Sequence, residues 1–312
     1  MIIALSTIRG GSLGSRALCG LAMALAATCG LLQANNAQAQ SMQETFATPE
    51  QAGLALVDAV RAGDDTAVAS ILGPDAGSTL STGDTTEDAD AQKAFVRKYD
   101  VMHRWARLAD GSEILYVGAD NYAYPFPLKR EGDASWRFDG FAGTDEIQAR
   151  RIGSNELLAM DAAGAIALAE EGYKAKEDQY TVRIVSKPGK RDGLYWPAGK
   201  GESVSPLGDL RDLLPCTTCA DGSQIFDGYV FRILTERQVG AGENASSFIV
   251  NGRMTGGFAV LATPIQYGST GIMSFLIDRD GMLYERDLGA KTAETASSMK
   301  VYDPKDGWES VR

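Results

Sequence analysis

Leu54, Val57 and Val60 recur at helical spacing, with Leu56 flanking them, and predict a first helix. Thr48 can cap it, Pro49 suits its first position, Gln51 completes a capping box and Gly63 stops it. A second, short helix is expected over about 66–72, ended by Gly73-Pro74. Residues 77–86 are polar and read as a loop. A third helix is expected over about 88–108, with Phe95, Tyr99, Met102 and Ala106 at helical spacing. The period then shortens. Residues 113–117, 124–129 and 135–138 read as short strands, with Glu131-Gly132-Asp133 as the turn between the last two. A short helix over 144–152 closes the first half.

The second half opens on a longer helix, expected from about 155 to 176 with Ser154 as its cap. Leu157, Leu158, Ala165, Leu168, Ala169 and Tyr173 form its apolar face. Residues 186–222 are rich in Gly, Pro and charge and read as a long ordered loop. Residues 229–234, 248–251, 257–262, 273–277 and 282–286 are strand candidates, and Asp278-Arg279-Asp280-Gly281 joins the last two as a tight turn. No internal repeat or low-complexity tract interrupts the pattern. The fold class is α+β: helices packed on a curved antiparallel sheet, followed by a long helix on an antiparallel β-meander. The units are expected at 40–152 and 153–312.

The first 39 residues stand apart. They carry Arg9 and Arg16, no acid, and a 16-residue apolar run from Ala17 to Leu32. Ala37-Gln38-Ala39 fits a signal-peptidase site, so a mature chain beginning near Gln40 is expected in the periplasm or outside the cell. The run is shorter than the roughly 20 residues that span a bilayer as a helix. Leu25-Ala26-Ala27-Thr28-Cys29 loosely resembles a lipoprotein box, but its leucine lies one position too far away and Thr28 is large. No apolar run in the mature chain is long enough to cross a membrane.

Charge narrows the partners. The chain carries −11, and loss of Arg9 and Arg16 with the leader moves this to −13. Such a surface repels phosphate backbones, which argues against nucleic acid. After export only Cys216 and Cys219 remain, in Pro215-Cys216-Thr217-Thr218-Cys219. An oxidising compartment favours a local disulfide between them. Redox activity would need the pair at a helix start, and zinc would need four ligands, whereas the only histidine is His103. No metal or cofactor is implied.

Three segments carry a family resemblance: Lys187-Pro188-Gly189-Lys190-Arg191-Asp192-Gly193-Leu194-Tyr195-Trp196-Pro197, Gly228-Tyr229-Val230-Phe231-Arg232-Ile233-Leu234-Thr235, and Val250-Asn251-Gly252-Arg253-Met254-Thr255-Gly256-Gly257-Phe258. With Phe46-Ala47-Thr48-Pro49-Glu50 they resemble a bacterial family of exported proteins, domain of unknown function 2950. The resemblance covers essentially the whole mature chain and implies export and a single family-wide unit. It brings no activity, so no site residue is carried over from it. At the level of layout, the first half, with Trp136 in its sheet, resembles nuclear-transport-factor-2-like domains. The second half resembles pilin-like modules, although no apolar stem directly precedes its long helix. Neither layout dictates a function.

Candidate chemistry is sparse. Asp100 and His103 lie three residues apart, so one helix face could hold both as base and orienting group, or simply as a surface pair. Lys190, Arg191, Asp192, Tyr195 and Trp196 mix charge with aromatics on a loop, either to bind a ligand or to anchor a turn. Asn251 and Arg253 flank a Gly-rich bend that is no phosphate loop, and Arg253 can hold a carboxylate. Asp278, Asp280 and Gly281 begin like a calcium loop, but Gly289 stands where its glutamate is required. The pattern points to an exported binding or envelope-assembly module whose partner is an envelope protein or a small molecule. The competing reading is an enzyme acting through Asp100 and His103.

Overall fold

The computed structural model describes residues 43–311 apart from 74–75, 77–84, 133–134, 198, 200–202, 209–213, 216–221 and 241–242. The leader and Cys216 and Cys219 therefore lie outside the described residues.

The first half packs three helices on a five-stranded antiparallel sheet. Helix α1 (Pro49–Ala62) begins as its sequence predicts: Thr48 Oγ1 accepts the Gln51 N–H at 3.2 Å, and Gly63 ends it in the left-handed region at φ 66°. Helix α2 (Asp65–Leu72) is capped by Asp64. Helix α3 (Thr85–Val101) is shorter than expected. Residues 103–107 leave it to form strand β1 (His103–Arg107), because this stretch pairs antiparallel with β2 (Glu113–Val117) across the tight connection at Asp110-Gly111. Strands β3 (Tyr122–Ala123), β4 (Leu128–Glu131) and β5 (Ser135–Phe138) complete the sheet in the order β1-β2-β4-β5, with β3 on β2. Their core holds Leu56, Leu72, Leu115, Phe126, Leu128 and Phe138, all almost fully buried.

Helix α4 (Gly140–Glu177) joins the two short-helix and long-helix expectations into one 38-residue element. Asp139 caps its start and Asp178, at φ 55°, its end, so Gly153 and Ser154 are interior positions. The helix runs unbroken through residue 152, where the sequence suggests a change of unit. Its first turns lie on the first core, where a Cβ at Gly143 would run into the Phe126 ring.

The buried face of α4 also differs from expectation. Ala159, Ala162, Ala163, Ile166, Ala167, Ala169, Glu170 and Tyr173 are buried, whereas Leu157 and Leu168 are 63% and 77% exposed. Small side chains let the helix approach a sheet whose facing side is crowded with Tyr229, Phe231, Phe258 and Phe275.

That sheet is antiparallel and has seven strands. They are β6 (Leu214–Pro215), β7 (Gln224–Phe226), β8 (Tyr229–Leu234), β13 (Ala259–Pro264), β14 (Met273–Asp278), β15 (Leu283–Asp287) and β17 (Glu309–Ser310), in the spatial order β17-β15-β14-β13-β8-β7-β6. Between β8 and β13 run β9 (Glu236–Arg237), β10 (Ser246–Ser247) and the pair β11 (Ile249–Val250) and β12 (Arg253–Met254). The strand expected over 248–251 is thus a two-residue piece of a hairpin. Helix α5 (Thr292–Ser298) covers the opposite face, held by Arg232 donating to the Ala296 and Met299 carbonyls, and β16 (Val301–Tyr302) pairs with β9. Every residue of β13 is buried because both faces of its sheet are covered. Among the described residues, no helix is long and apolar enough to cross a membrane.

Candidate functional site

Asp100 and His103 do not share a helix face. Asp100 sits in the last turn of α3, where its carboxylate accepts Arg61 Nη2 at 2.8 Å. His103 opens β1, exposed, with its ring stacked on Tyr99 at 4.0 Å between centroids. Its Nδ1 meets the Tyr99 carbonyl at 3.0 Å, which orients the ring. No hydrogen bond or ion pair joins Asp100 to His103 among the described residues.

The charged loop braces itself. Lys190 N–H donates to the Lys187 carbonyl at 2.9 Å across a turn that needs Gly189 at φ 72°. Asp192 accepts the Lys187 N–H through Oδ1 at 2.9 Å and Thr181 Oγ1 through its carbonyl at 2.8 Å. The Arg191 guanidinium lies 5.7 Å from the Trp196 ring centroid and reaches Ser203 Oγ at 3.2 Å. Trp196 Nε1 donates to the Ser203 carbonyl at 3.1 Å, and Tyr195 pairs with Ile184 and Ser186 through its backbone.

Asn251 and Gly252, at φ 52° and 77°, form the two-residue turn between β11 and β12. This aims Arg253 at the end of α4. Its Nη2 donates to the Asp178 carbonyl at 3.0 Å and the Glu177 carbonyl at 3.3 Å, and lies 3.4 Å from Asp178 Oδ2. The guanidinium thus satisfies terminal carbonyls of a long helix and faces the negative end of its dipole. The structure scatters the sequence-derived candidates over three places and gives the loop and hairpin members bracing partners.

The residues it does bring together lie between α1, α2 and α3. A cavity of about 460 Å³ is lined by Val60, Val68, Ala69, Ala89 and Tyr124, with Asp65, Asp88 and Thr85 at its polar side. A second, of about 500 Å³, shares Val60, Ala89 and Gln92 with the first and continues past Val96 to Arg61, Lys93 and Arg97. The two form one groove. Gln92 stands at the junction, its Nε2 3.4 Å from Asp65 Oδ1.

Two polar groups of this groove are uncommitted. Tyr124 is 8% exposed, yet its hydroxyl has no hydrogen bond to a described residue. Burial raises its pKa well above the usual tyrosine range, so the hydroxyl stays protonated and able to donate. Arg97 makes no ion pair among the described residues and is exposed at the far rim. Arg61, by contrast, is held by Asp58 and Asp100, and Lys93 by Asp90.

A third cavity, of about 400 Å³ beside Trp136, is bordered by Arg107 and Lys129, which pair with Glu113 at 3.4 Å and Asp139 at 2.5 Å. Among the described residues no three His, Cys, Asp or Glu converge as metal ligands would. The groove residues Asp65, Asp88, Gln92, Arg97 and Tyr124 escaped the sequence reading. Their only signal is that α3 carries Asp88, Gln92 and Val96 at four-residue spacing, two polar residues in line with a valine that packs against the first core.

Neither a search of curated proteins nor one of solved structures finds a match, so the transport-factor-like and pilin-like layouts have no solved counterpart to support them. The family model described as "protein of unknown function (DUF2950)" matches residues 43–311, and the chain belongs to that family.

Proposed function

We propose that this protein is exported, loses residues 1–39, and serves in the periplasm or outside the cell as a binding module that holds a small molecule in the groove between α1, α2 and α3. The observation that carries the proposal is the Tyr124 hydroxyl, a protonated donor without a described partner, set beside Val60, Val68, Ala69 and Ala89 and across from a polar side of Asp65, Thr85 and Asp88. A concave apolar surface with a few placed polar groups is the usual form of a small-molecule site, and cavities of about 300–1,000 Å³ are the usual size. The leader supports export, and the charge of the mature chain disfavours nucleic acid and anionic lipid as ligands. The enzyme reading has less support: Arg61 occupies Asp100, and neither groove cavity is lined by His103.

The test is retention of small molecules from envelope extract by the mature protein, read by mass spectrometry. Ala89 lines both cavities, so Ala89→Trp fills them. The retained species is expected to disappear in this variant while the thermal midpoint moves by only a few degrees. Tyr124→Phe is expected to weaken binding about three- to tenfold, the worth of one hydrogen bond. Retention unchanged by Ala89→Trp would remove the groove from the mechanism.

A further inference from the structure

The turn between β11 and β12 carries chemistry of its own, independent of the groove. We infer that Asn251 is a self-modification site: with water as co-reactant its side chain is converted to isoaspartate, and the altered turn releases Arg253 from the end of α4.

Glycine after asparagine favours this reaction, because glycine puts no side chain in the path of its own nitrogen. Of the four asparagines after residue 40, only Asn251 is followed by glycine; Asn121 precedes Tyr122, Asn155 precedes Glu156 and Asn244 precedes Ala245. Asn251 and Gly252 are both exposed, and a Cβ at Gly252 would meet nothing within 4 Å. The Asn251 side chain makes no hydrogen bond among the described residues. Asn121 Oδ1, by contrast, accepts from Arg104, and Asn155 Nδ2 donates to the Thr270 carbonyl.

The Gly252 nitrogen bonds to Asn251 Cγ, the Cγ–Nδ2 bond breaks, and ammonia leaves with the proton that the nitrogen gives up. Water then opens the cyclic imide. Attack at the side-chain carbonyl gives aspartate. Attack at the main-chain carbonyl gives isoaspartate, whose main chain runs through Cβ and Cγ and is one carbon longer.

At φ 52° Asn251 stands in the left-handed region, which holds its side chain away from the Gly252 nitrogen, so the turn has to open before the ring closes. Opening is local: the hairpin pairs Ile249 with Met254 and Val250 with Arg253, in a two-stranded sheet of its own. A two-residue turn closes on a fixed number of main-chain atoms, so the added carbon prevents its return. Met254 is buried and its carbonyl accepts the Tyr180 N–H at 2.8 Å, which fixes that end. The displacement therefore falls on Arg253. The new carboxylate, two positions away, competes with the Glu177 and Asp178 carbonyls for its guanidinium.

The test holds the mature protein at mildly alkaline pH, folded or in urea, and digests it with trypsin. Cleavage after Arg237 and Arg253 leaves residues 238–253 as one peptide, in which the exposed Asn244 is the matched control. Mass spectrometry is expected to place the amide-to-acid exchange on Asn251 ahead of Asn244. The folded protein is expected to convert about tenfold more slowly than the urea-unfolded chain, because a marginal hairpin has to open. Resistance of the product to a protease that cuts before aspartate marks isoaspartate. In the aged protein the Asp178 amide, which donates to the Lys174 carbonyl, is expected to exchange with deuterium about two- to fivefold faster, the worth of one cation at a helix terminus. Arg253→Gln is expected to show the same rise without ageing, and Asn251→Gly, which keeps the turn, to show neither change. Conversion of Asn244 ahead of Asn251 overturns the inference, as does a folded protein whose Asn251 stays intact while the unfolded chain converts. Isoaspartate at 251 with Asp178 exchange unchanged removes the release of Arg253, as does a rise that also develops in incubated Asn251→Gly.

Discussion

Glu170 is the residue whose environment departs furthest from its chemistry. It is fully buried on α4, its Oε2 accepts the Thr181 N–H at 3.0 Å, and its Oε1 has no partner among the described residues. Burial raises its pKa from 4.5 to about 8; the charge of Glu171 adds to the rise and the Thr181 hydrogen bond opposes it. A carboxyl whose folded pKa exceeds its unfolded one binds its proton more tightly when folded. Its stabilising contribution is therefore complete below about 4.5 and is lost as pH rises toward about 8. Urea midpoints of the parent are expected to fall relative to those of Glu170→Gln between about pH 5 and about pH 9. A difference that stays constant across this window would mean that Glu170 is hydrated and ionised in the folded protein. None of this is visible in Ala169-Glu170-Glu171, because an acid facing inward and an acid facing water look the same in sequence. Arg253 has the same difficulty in reverse: its aptitude for a carboxylate is legible, but the carbonyls it meets come from Glu177 and Asp178, over seventy residues away.

At the scale of elements, α4 reverses the usual inference from side-chain size. The leucines point outward and the alanines inward, because the aromatic side of the seven-stranded sheet already fills the space between helix and sheet. Ala163 is fully buried, so Ala163→Leu is expected to destabilise by about 1–3 kcal/mol through overpacking. Leu168→Gln, at an exposed position, is expected to stay within about 0.5 kcal/mol. Urea unfolding of the two variants decides the matter, and the opposite ranking would turn the helix over. Elements governed by local chemistry were legible: the Thr48 cap of α1 and the Asp-Gly turn before β15 appear where their residues demand them, although Gln51 Oε1 accepts the Ala47 N–H where a full capping box would take that of Thr48. Elements governed by distant partners were not. β1 looks like more α3 until β2 is there to pair with it, and the groove exists only because α2 and α3, joined through residues of no helical pattern, come to lie beside the same Tyr124.

For the whole molecule, α4 decides whether the halves are separable. It carries Gly143 and Ile147 on the first core and Ala159 to Tyr173 on the second. Between them it is tied to the segment before β14: Gln148 Nε2 donates to the Ser269 carbonyl at 2.5 Å, Asn155 Nδ2 to the Thr270 carbonyl at 2.9 Å, and Glu156 Oε1 accepts the Ile272 and Met273 N–H groups at 2.9 Å. A continuous helix anchored in both cores transmits loss of either to the other, so one cooperative transition is expected. Trp136 reports on the first core and Trp308 on the α5 side of the large sheet. Variants keeping only one of these tryptophans are expected to show coincident urea midpoints. Gly153 lies in the helix between the cores with open space around it, so Gly153→Pro breaks the connection, at a cost of about 3 kcal/mol, without a clash from its ring in the surroundings. In that background the two midpoints are expected to separate. Midpoints already apart in the parent would show that the cores unfold independently and that α4 links them without coupling them. Midpoints that stay together after Gly153→Pro would place the coupling in the contacts of Asn155 and Glu156 instead, where removing both side chains would then have to split the transition.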